Sequence, residues 1–132
     1  MPKAEGKLFK FDKPSSIRTD YLEVFPYTGE KQFITYTTDE FSAVCPFSGL
    51  PDIAQVTIQY IPKKHCLELK SLKYYYISFR NVGIYQEAVT DKIFKDIFKI
   101  LKPAFMRVET TYNTRGGIDA TCVIEKGARQ GY

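Results

Sequence analysis

Alternation of apolar and polar residues predicts four main strands in this chain. From Ala54 to Tyr60 every second residue is apolar and the residues between are glutamine or threonine, the pattern of a strand with one buried face. A similar alternation runs from Phe105 to Tyr112, and a turn at 113–117 separates it from the next apolar run. The predicted strands are residues 32–38, 53–60, 105–112 and 118–124, with a brief additional segment at 65–68.

From Leu69 onward the apolar residues recur at three and four, which predicts two helices. The first begins at Leu69, leaves Ser71 outside its apolar stripe, and ends at 81–83 with Gly83 as its C-terminal residue. The second runs from about residue 85 to residue 102 and is stopped by Pro103. The stripe of the first helix contains Leu69, Leu72, Tyr76 and Phe79, and that of the second contains Val89, Ile93, Ile97 and Ile100.

The order strand, strand, helix, helix, strand, strand predicts an α+β fold. Consecutive strands pair as hairpins, so we expect an antiparallel four-stranded sheet with both helices on one face. Residues 1–20 are polar and predict a poorly structured N-terminal arm, residues 21–132 a single domain, and the charged tail from Glu125 a frayed end. A small open sheet has two exposed edges. We therefore expect a homo-oligomer with pockets between subunits.

Composition limits the classes of function without selecting one. The chain has 132 residues, a formal net charge of +4 and an aromatic fraction of 15%. This mildly basic balance suits an anionic nucleotide cofactor as well as a nucleic acid. Three cysteines and no apolar signal or membrane-spanning stretch indicate a reduced, cytoplasmic protein.

The loop from Val44 to Ala54 carries the main chemical candidates. Pro46, Gly49 and Pro51 predict that neither helix nor strand enters it. Cys45 is a candidate nucleophile and Asp52, seven residues later, its candidate proton partner. Each residue also has an ordinary interpretation, because free cysteines often fill apolar space and turn aspartates often bond the nearby backbone.

Charged residues elsewhere are candidates of lower specificity. Lys70 and Lys73 share a face at the start of the first helix, where anions are attracted, although a solvated helix face explains them equally well. Arg115 beside Gly116-Gly117 suits a phosphate clamp or a plain hairpin, and Glu87 suits a ligand contact or a helix start. The single histidine, His65, excludes a three-histidine zinc site, and no metal is predicted.

Taken together, four motifs resemble the 7-cyano-7-deazaguanine reductases in their short, single-module form. They are, in chain order, Cys45-Pro-Phe-Ser-Gly-Leu-Pro-Asp52, Glu68-Leu-Lys-Ser-Leu-Lys-Tyr-Tyr75, Phe79-Arg-Asn followed by Glu87, and Thr114-Arg-Gly-Gly117. The resemblance extends over about residues 20–125, and the second motif fits the family signature at every position.

This resemblance implies a fold, an assembly and a reaction. The fold is the tunnelling fold (T-fold), whose subunits form pentameric rings that stack into a decamer. The reaction reduces the nitrile of 7-cyano-7-deazaguanine to an aminomethyl group with two NADPH, as a step toward queuosine in tRNA, without direct contact with nucleic acid or membrane.

The resemblance also implies a role for individual residues. Cys45 is the nucleophile that forms a covalent thioimide, and Asp52 is the acid. The substrate-binding positions are Glu68, Leu69, Ser71, Gln86 and Glu87, and the NADPH-binding positions are Lys70, Lys73 and Arg115.

One departure from the family and two alternatives accompany this interpretation. The family often has a histidine where this chain has Gln86, which hydrogen-bonds but carries no proton. A pterin-forming enzyme of the same fold needs histidine-bound zinc, which one histidine does not supply. A non-catalytic purine- or RNA-binding protein remains the alternative, and its RNA affinity would fall steeply with salt.

Overall fold

The structure, a computed structural model, describes residues 3, 5–6, 9–129 and 131–132. Within these residues the strands are β1 (Val24–Pro26), β2 (Ile34–Val44), β3 (Pro51–Ile61), β4 (His65–Leu67), β5 (Phe105–Arg115) and β6 (Ile118–Gly127). The α-helices are α1 (Leu69–Ile77) and α2 (Gln86–Leu101).

Four of the strands form one antiparallel sheet in the order β2-β3-β5-β6. The predicted α+β arrangement, with an antiparallel sheet and two helices, is therefore confirmed. The short segment predicted at 65–68 corresponds to β4, which pairs with β1 as a separate two-stranded sheet. The strand β1 was not predicted, because its three residues are too short to show a period.

The core lies between one face of the sheet and the two helices. On β3 the residues from Asp52 to Tyr60 alternate between this buried face and a more exposed one, as the sequence pattern predicts. Ile58 of β3, Leu72 of α1 and Ile93 of α2 belong to one buried cluster. The ring of Phe41 on β2 packs 5.2 Å from that of Phe79, which follows α1.

The first hairpin is longer than predicted. β2 extends to Val44 and β3 begins at Pro51, so the loop contains only residues 45–50. The prediction that no strand enters 44–54 is therefore wrong, and Asp52 lies within a strand. Pro51 is tolerated because it is the first residue of β3, where a missing N–H interrupts the ladder least.

The last hairpin also differs from the predicted boundaries. β5 continues to Arg115, so the turn consists of Gly116 and Gly117 alone. Both glycines have positive φ, 58° and 76°, as the tightest hairpin turns require. β6 continues to Gly127, so residues 125–127 pair with β5 and the prediction of a frayed tail from Glu125 is wrong for them.

Helix α1 is shorter than its apolar stripe predicted. It ends at Ile77, and the chain continues in tighter turns, with the Val82 N–H donating to the Phe79 carbonyl at 2.9 Å. Gly83 is therefore not the end of a helix. The predicted stripe is also partly wrong, since Leu69 is 55% exposed whereas Ser71 is buried.

Helix α2 matches its prediction within a residue at each end. Val89, Ile93 and Ile97 of the predicted stripe are buried, whereas Ile100 is half-buried. Lys102 caps the helix with a left-handed backbone (φ 48°), and Pro103 follows.

The described part of the N-terminal arm lies against the rest of the chain. It contains single 3-10 turns at Pro14–Ser16 and Thr19–Tyr21, and Asp12 forms an isolated parallel β-bridge with Val82. The Asp12 N–H donates to the Asn81 carbonyl at 2.7 Å, and Ile17 is 7% exposed. Residues 1–2, 4 and 7–8 of the predicted arm lie outside the described residues, and a domain boundary at residue 20 stays a prediction.

Neither helix in the described part of the chain is long and apolar enough to cross a membrane. The cytoplasmic location stays a prediction.

Asp96 of α2 connects both helices to the arm. Its carboxylate accepts hydrogen bonds from the Tyr75 hydroxyl at 2.7 Å, the Thr19 hydroxyl at 3.0 Å and the Lys92 ammonium at 3.2 Å. Burial, together with this carboxylate, raises the pKa of Tyr75 above its usual value. The Tyr75 hydroxyl is thus a buried donor that depends on Asp96.

We expect Asp96→Ala to lower the free energy of unfolding by about 1–3 kcal/mol, because the buried Tyr75 hydroxyl loses its acceptor. Urea denaturation followed by circular dichroism measures this change. Asp91→Ala is the matched control on the same helix, since within the described residues Asp91 pairs with Lys95 on the exposed surface. Equal effects of the two substitutions would contradict a special role for Asp96.

Candidate active site

The loop between β2 and β3 holds Cys45 in a fixed turn. The Cys45 N–H donates to the Leu50 carbonyl at 2.9 Å, and the Gly49 N–H donates back to the Cys45 carbonyl at 2.8 Å. Gly49 has a φ of 73°, and a Cβ there would also lie 3.2 Å from that of Phe9. Cys45 itself is partly exposed and not in a disulfide. The loop therefore presents the thiol at the protein surface.

A second segment of the chain fixes the end of β2 beside this loop. The Val44 N–H donates to the Val82 carbonyl at 2.9 Å, and the Ile84 N–H donates to the Val44 carbonyl at 3.0 Å. Residues 82–84 lead directly into α2, which begins at Gln86. These bonds bring the start of α2 to the same end of the sheet as Cys45.

Asp52 and Arg115 meet at this end of the sheet. Asp52 is the second residue of β3, and Arg115 is the last residue of the neighbouring strand β5. The Arg115 guanidinium donates a hydrogen bond to the Asp52 carboxylate and forms an ion pair with it. The side chain of Asp52 is 3% exposed and that of Arg115 is 43% exposed, so the pair joins a buried carboxylate to an accessible cation.

The thiol of Cys45 is activated by its own loop. The Ser48 N–H and then the Ser48 hydroxyl act most strongly, and together with the Phe47 N–H and the Arg115 guanidinium they lower the pKa of Cys45 to about 7, against the opposing effect of burial. A substantial fraction of the thiol is therefore ionised at neutral pH. Thiolates of this kind are nucleophiles.

Arg115 interacts with both Cys45 and Asp52. Its pKa is raised first by a hydrogen bond with Cys45 and then by the charge of Asp52. A guanidinium carries several donors in one plane, so one arginine contacts a thiolate and a carboxylate together. The site therefore combines a nucleophile, a carboxylate and a cation from three separate segments.

Ser48 is a site residue to which sequence reasoning assigned no role. It contributes the two largest effects on the pKa of Cys45. The Cys-Pro-Phe-Ser string contained the signal, because a hydroxyl residue shortly after a thiol in a tight turn presents both its N–H and its O–H to it.

Glu87 and Gln86 open α2 near this site. Glu87 is exposed, and its charge acts on the hydroxyl of Tyr112 on β5, as the charge of Asp52 also does. Gln86 is half-buried, and its backbone carbonyl accepts a hydrogen bond from the Thr90 hydroxyl at 3.2 Å. These two of the five predicted substrate-binding residues thus lie at the Cys45 end of the sheet.

The remaining predicted positions cluster at the start of α1. The Glu68 carboxylate caps this helix by accepting the Lys70 and Ser71 N–H groups at 2.8 and 2.7 Å, which lowers its pKa. The Ser71 hydroxyl donates to the Glu68 carbonyl at 2.7 Å and accepts the Glu23 N–H at 3.0 Å. The ammonium of Lys70 lies 5.9 Å from the centre of the Tyr74 ring.

This second cluster lies away from Cys45 within one chain. The Leu67 N–H, just before α1, donates to the Tyr60 hydroxyl at 3.1 Å. Asp52 and Tyr60 are near opposite ends of β3, roughly 26 Å apart at the usual rise per residue. Lys73 lines a cavity of about 310 Å³ between β2 and α1, together with Arg80 and Glu40, and that cavity does not include Cys45. The structure therefore brings Cys45, Asp52 and Arg115 together but not Glu68, Leu69, Lys70, Ser71 and Lys73 with them.

Comparison with known proteins identifies the family. The family model described as QueF-like protein matches residues 51–131. This chain belongs to that family. A protein of Thermotoga petrophila, named NADPH-dependent 7-cyano-7-deazaguanine reductase, is 56% identical over 122 residues, which cover 92% of this chain and 89% of the relative. A protein of the same name from Caldicellulosiruptor bescii is 49% identical over 109 residues, covering 81% and 83% of the two chains.

A solved structure supports the fold of this family member. The crystal structure of an archaeosine synthase QueF-Like in the apo form matches with a TM-score of 0.66, covering 77% of this chain and 98% of that chain. Its sequence identity is 20%, so the likeness concerns the fold alone. The family resemblance found in the sequence motifs is thus confirmed, while the roles of individual residues stay predictions.

We expect the rate at which iodoacetamide alkylates Cys45 to be proportional to the thiolate fraction and to reach half its maximum near pH 7. Because the pKa is lowered, the reactive form is present above pH 7 and is lost as the pH falls below it. Peptide mass spectrometry measures the modification of Cys45, with Cys122 of the same chain as the internal reference.

Ser48→Ala removes the second largest effect on this pKa and should move the midpoint to higher pH, slowing alkylation at pH 7 several-fold. Thr57→Ala on the exposed face of β3 is the control and should leave the profile unchanged. A Ser48→Ala profile identical to wild type would show that the hydroxyl does not stabilise the thiolate.

Proposed function

We propose that this family member reduces the nitrile of 7-cyano-7-deazaguanine to an aminomethyl group with two NADPH, as a step of queuosine biosynthesis. The observation that carries the proposal is a partly exposed thiol with a pKa of about 7 beside an Asp52–Arg115 ion pair. The names of relatives that are 49–56% identical supply the substrate and the cofactor.

The proposed chemistry begins with addition of Cys45 to the nitrile. The carbon of a nitrile is electrophilic, so the sulfur of Cys45 forms a bond to it while the nitrogen takes a proton, giving a thioimide. Asp52 carries the proton of the thiol to that nitrogen, acting first as base and then as acid. Before doing so it exchanges its bond with Arg115 for one with the substrate.

The low pKa of Cys45 also suits the release of the sulfur. Bound NADPH would supply the two hydrides that convert the nitrile, through the imine, to the amine, and solvent would supply the proton that accompanies each hydride. Between the two hydride transfers the carbon–sulfur bond breaks and Cys45 leaves as the thiolate, which a thiol of low pKa does readily. Covalent attachment during the first reduction keeps the half-reduced molecule in the site.

The predicted binding residues fit the two ligands. The guanine-like edge of the substrate presents neighbouring N–H donors, which suit the carboxylate of Glu87, and Gln86 adds hydrogen-bonding groups. Lys70, Lys73 and the exposed guanidinium of Arg115 provide cations for the phosphates of NADPH. Glutamine at position 86 does not relay a proton, so this chain leaves proton transfer to Asp52.

We expect each substrate molecule to consume two NADPH, measured as loss of absorbance at the nicotinamide band. Cys45→Ala should abolish turnover, and intact-mass spectrometry without NADPH should show a wild-type adduct of one substrate mass. Cys122→Ala is the matched control, because that cysteine is also partly exposed but lies on β6. Turnover that survives Cys45→Ala would refute covalent catalysis.

A failure of all turnover would instead favour the non-catalytic alternative. RNA binding with a steep salt dependence would then be its positive sign.

The site is completed, we propose, by a second copy of the chain. The Glu68–Lys73 cluster and the Cys45 group lie apart within one chain, and β2 and β6 are both free edges of its sheet. Association places the α1 cluster of one copy against Cys45 of the next, in rings that stack as two pentamers. Lys70 of one copy and Arg115 of its neighbour would then together hold the phosphates of NADPH.

Mixing two defective variants tests this shared site. Cys45→Ala and Lys70→Glu should each be inactive at limiting NADPH, because one lacks the nucleophile and the other repels the cofactor. After joint refolding we expect about one quarter of wild-type activity, since random association leaves that share of interfaces with both halves intact. Native mass spectrometry verifies mixing, and mixed oligomers without recovered activity would contradict a site between copies.

A further inference from the structure

A buried hydroxyl without a partner lies next to the proposed active site. Among the described residues, the hydroxyl groups of Tyr76 and Tyr112 are buried and make no hydrogen bond. The residue Tyr112 is 4% exposed. Buried hydroxyl groups are nearly always bonded, so one that is not bonded calls for a partner that the chain itself does not provide.

The sheet register places Tyr112 under the start of α2. Tyr112 pairs with Ala54 of β3 on one side and with Ala120 of β6 on the other. Thr110, two residues earlier on the same face, contacts the Thr90 hydroxyl of α2 at 2.6 Å. Tyr112 lies one step further toward Arg115, beneath the first turn of α2.

Negatively charged groups from both ends of the site act on the Tyr112 hydroxyl. Burial raises its pKa above the usual value, and the negative charges of Asp52, Cys122 and Glu87 raise it further. The hydroxyl is therefore protonated at neutral pH and able to donate. Asp52 belongs to the thiol end of the site and Glu87 opens α2, so both ends act on this one group.

The substrate of the proposed function has an acceptor that fits this position. In 7-cyano-7-deazaguanine the ring carbonyl lies between the nitrile and the edge that carries the N–H donors. If Glu87 binds the donor edge and Asp52 faces the nitrile nitrogen, the carbonyl oxygen lies between them. Tyr112 lies on the strand that ends at Arg115, beneath the start of α2, so its unpaired hydroxyl is able to serve that oxygen once the substrate is bound.

We propose that Tyr112 is a substrate-binding residue whose hydroxyl donates a hydrogen bond to the ring carbonyl of 7-cyano-7-deazaguanine. This inference rests on the proposed function and adds a contact that fixes the ring between Glu87 and Cys45. The hydroxyl stays unpaired in the free protein and is paired only when the substrate binds.

Tyr112→Phe tests the inference because it removes only the hydroxyl. We expect its melting temperature without ligand to equal or exceed that of wild type, since no internal bond is lost. The KM for 7-cyano-7-deazaguanine should rise between about twofold and about tenfold, the range of one neutral hydrogen bond, while the KM for NADPH stays unchanged. Calorimetry in the Cys45→Ala background should show the same loss in non-covalent affinity.

Tyr76→Phe is the matched control, since it deletes the other unpaired hydroxyl, on α1. It should leave the affinity for 7-cyano-7-deazaguanine at the wild-type value. Tyr112→Phe with wild-type affinity, or with a lower melting temperature than Tyr76→Phe, would overturn the inference while leaving the proposed function intact. A wild-type chain that neither binds nor reduces the substrate would overturn both.

Discussion

The register between β3 and β5 is the constraint on which the site depends. Ala54 pairs with Tyr112, and beyond this pair Asp52 of β3 meets Arg115 of β5, where the strand is irregular between Tyr112 and Arg115. A slip of one residue would turn Asp52 to the opposite face and separate it from the guanidinium. The buried residues of both strands prevent that slip, because it would expose Ile58 and Val108, both 0% exposed here.

Arg115 gives this arrangement its electrostatic balance. Asp52 is a carboxylate at 3% exposure, and an unpaired charge at such a site would strongly destabilise the fold. The guanidinium satisfies that charge and also lowers the pKa of Cys45, so one cation serves both stability and reactivity. Its own exposure leaves donors available to a ligand, which is the property a cofactor phosphate requires.

The sequence allowed the main elements to be predicted, because β3 and α2 each show a clear period of their own. The prediction failed where contacts between distant segments of the chain determine where an element begins or ends. Pro51 opens β3 instead of excluding a strand, since Val44 pairs with it. Gly83 does not end α1, because the chain beside it bonds to Val44. Cys45, Asp52 and Arg115 were each named from motifs, but their contact with one another depends on strand register.

The proposed association of copies accounts for both the separation of the two clusters and the free edges of the sheet. The Glu68 carboxylate caps α1, so the position of this side chain and the start of the helix are fixed in the free protein. The Cys45 group lies at the other end of β3, where the thiol and Arg115 are both partly exposed. An exposed strand edge favours pairing with another chain. The proposed association through β2 or β6 would therefore satisfy backbone groups and complete the proposed site in the same step.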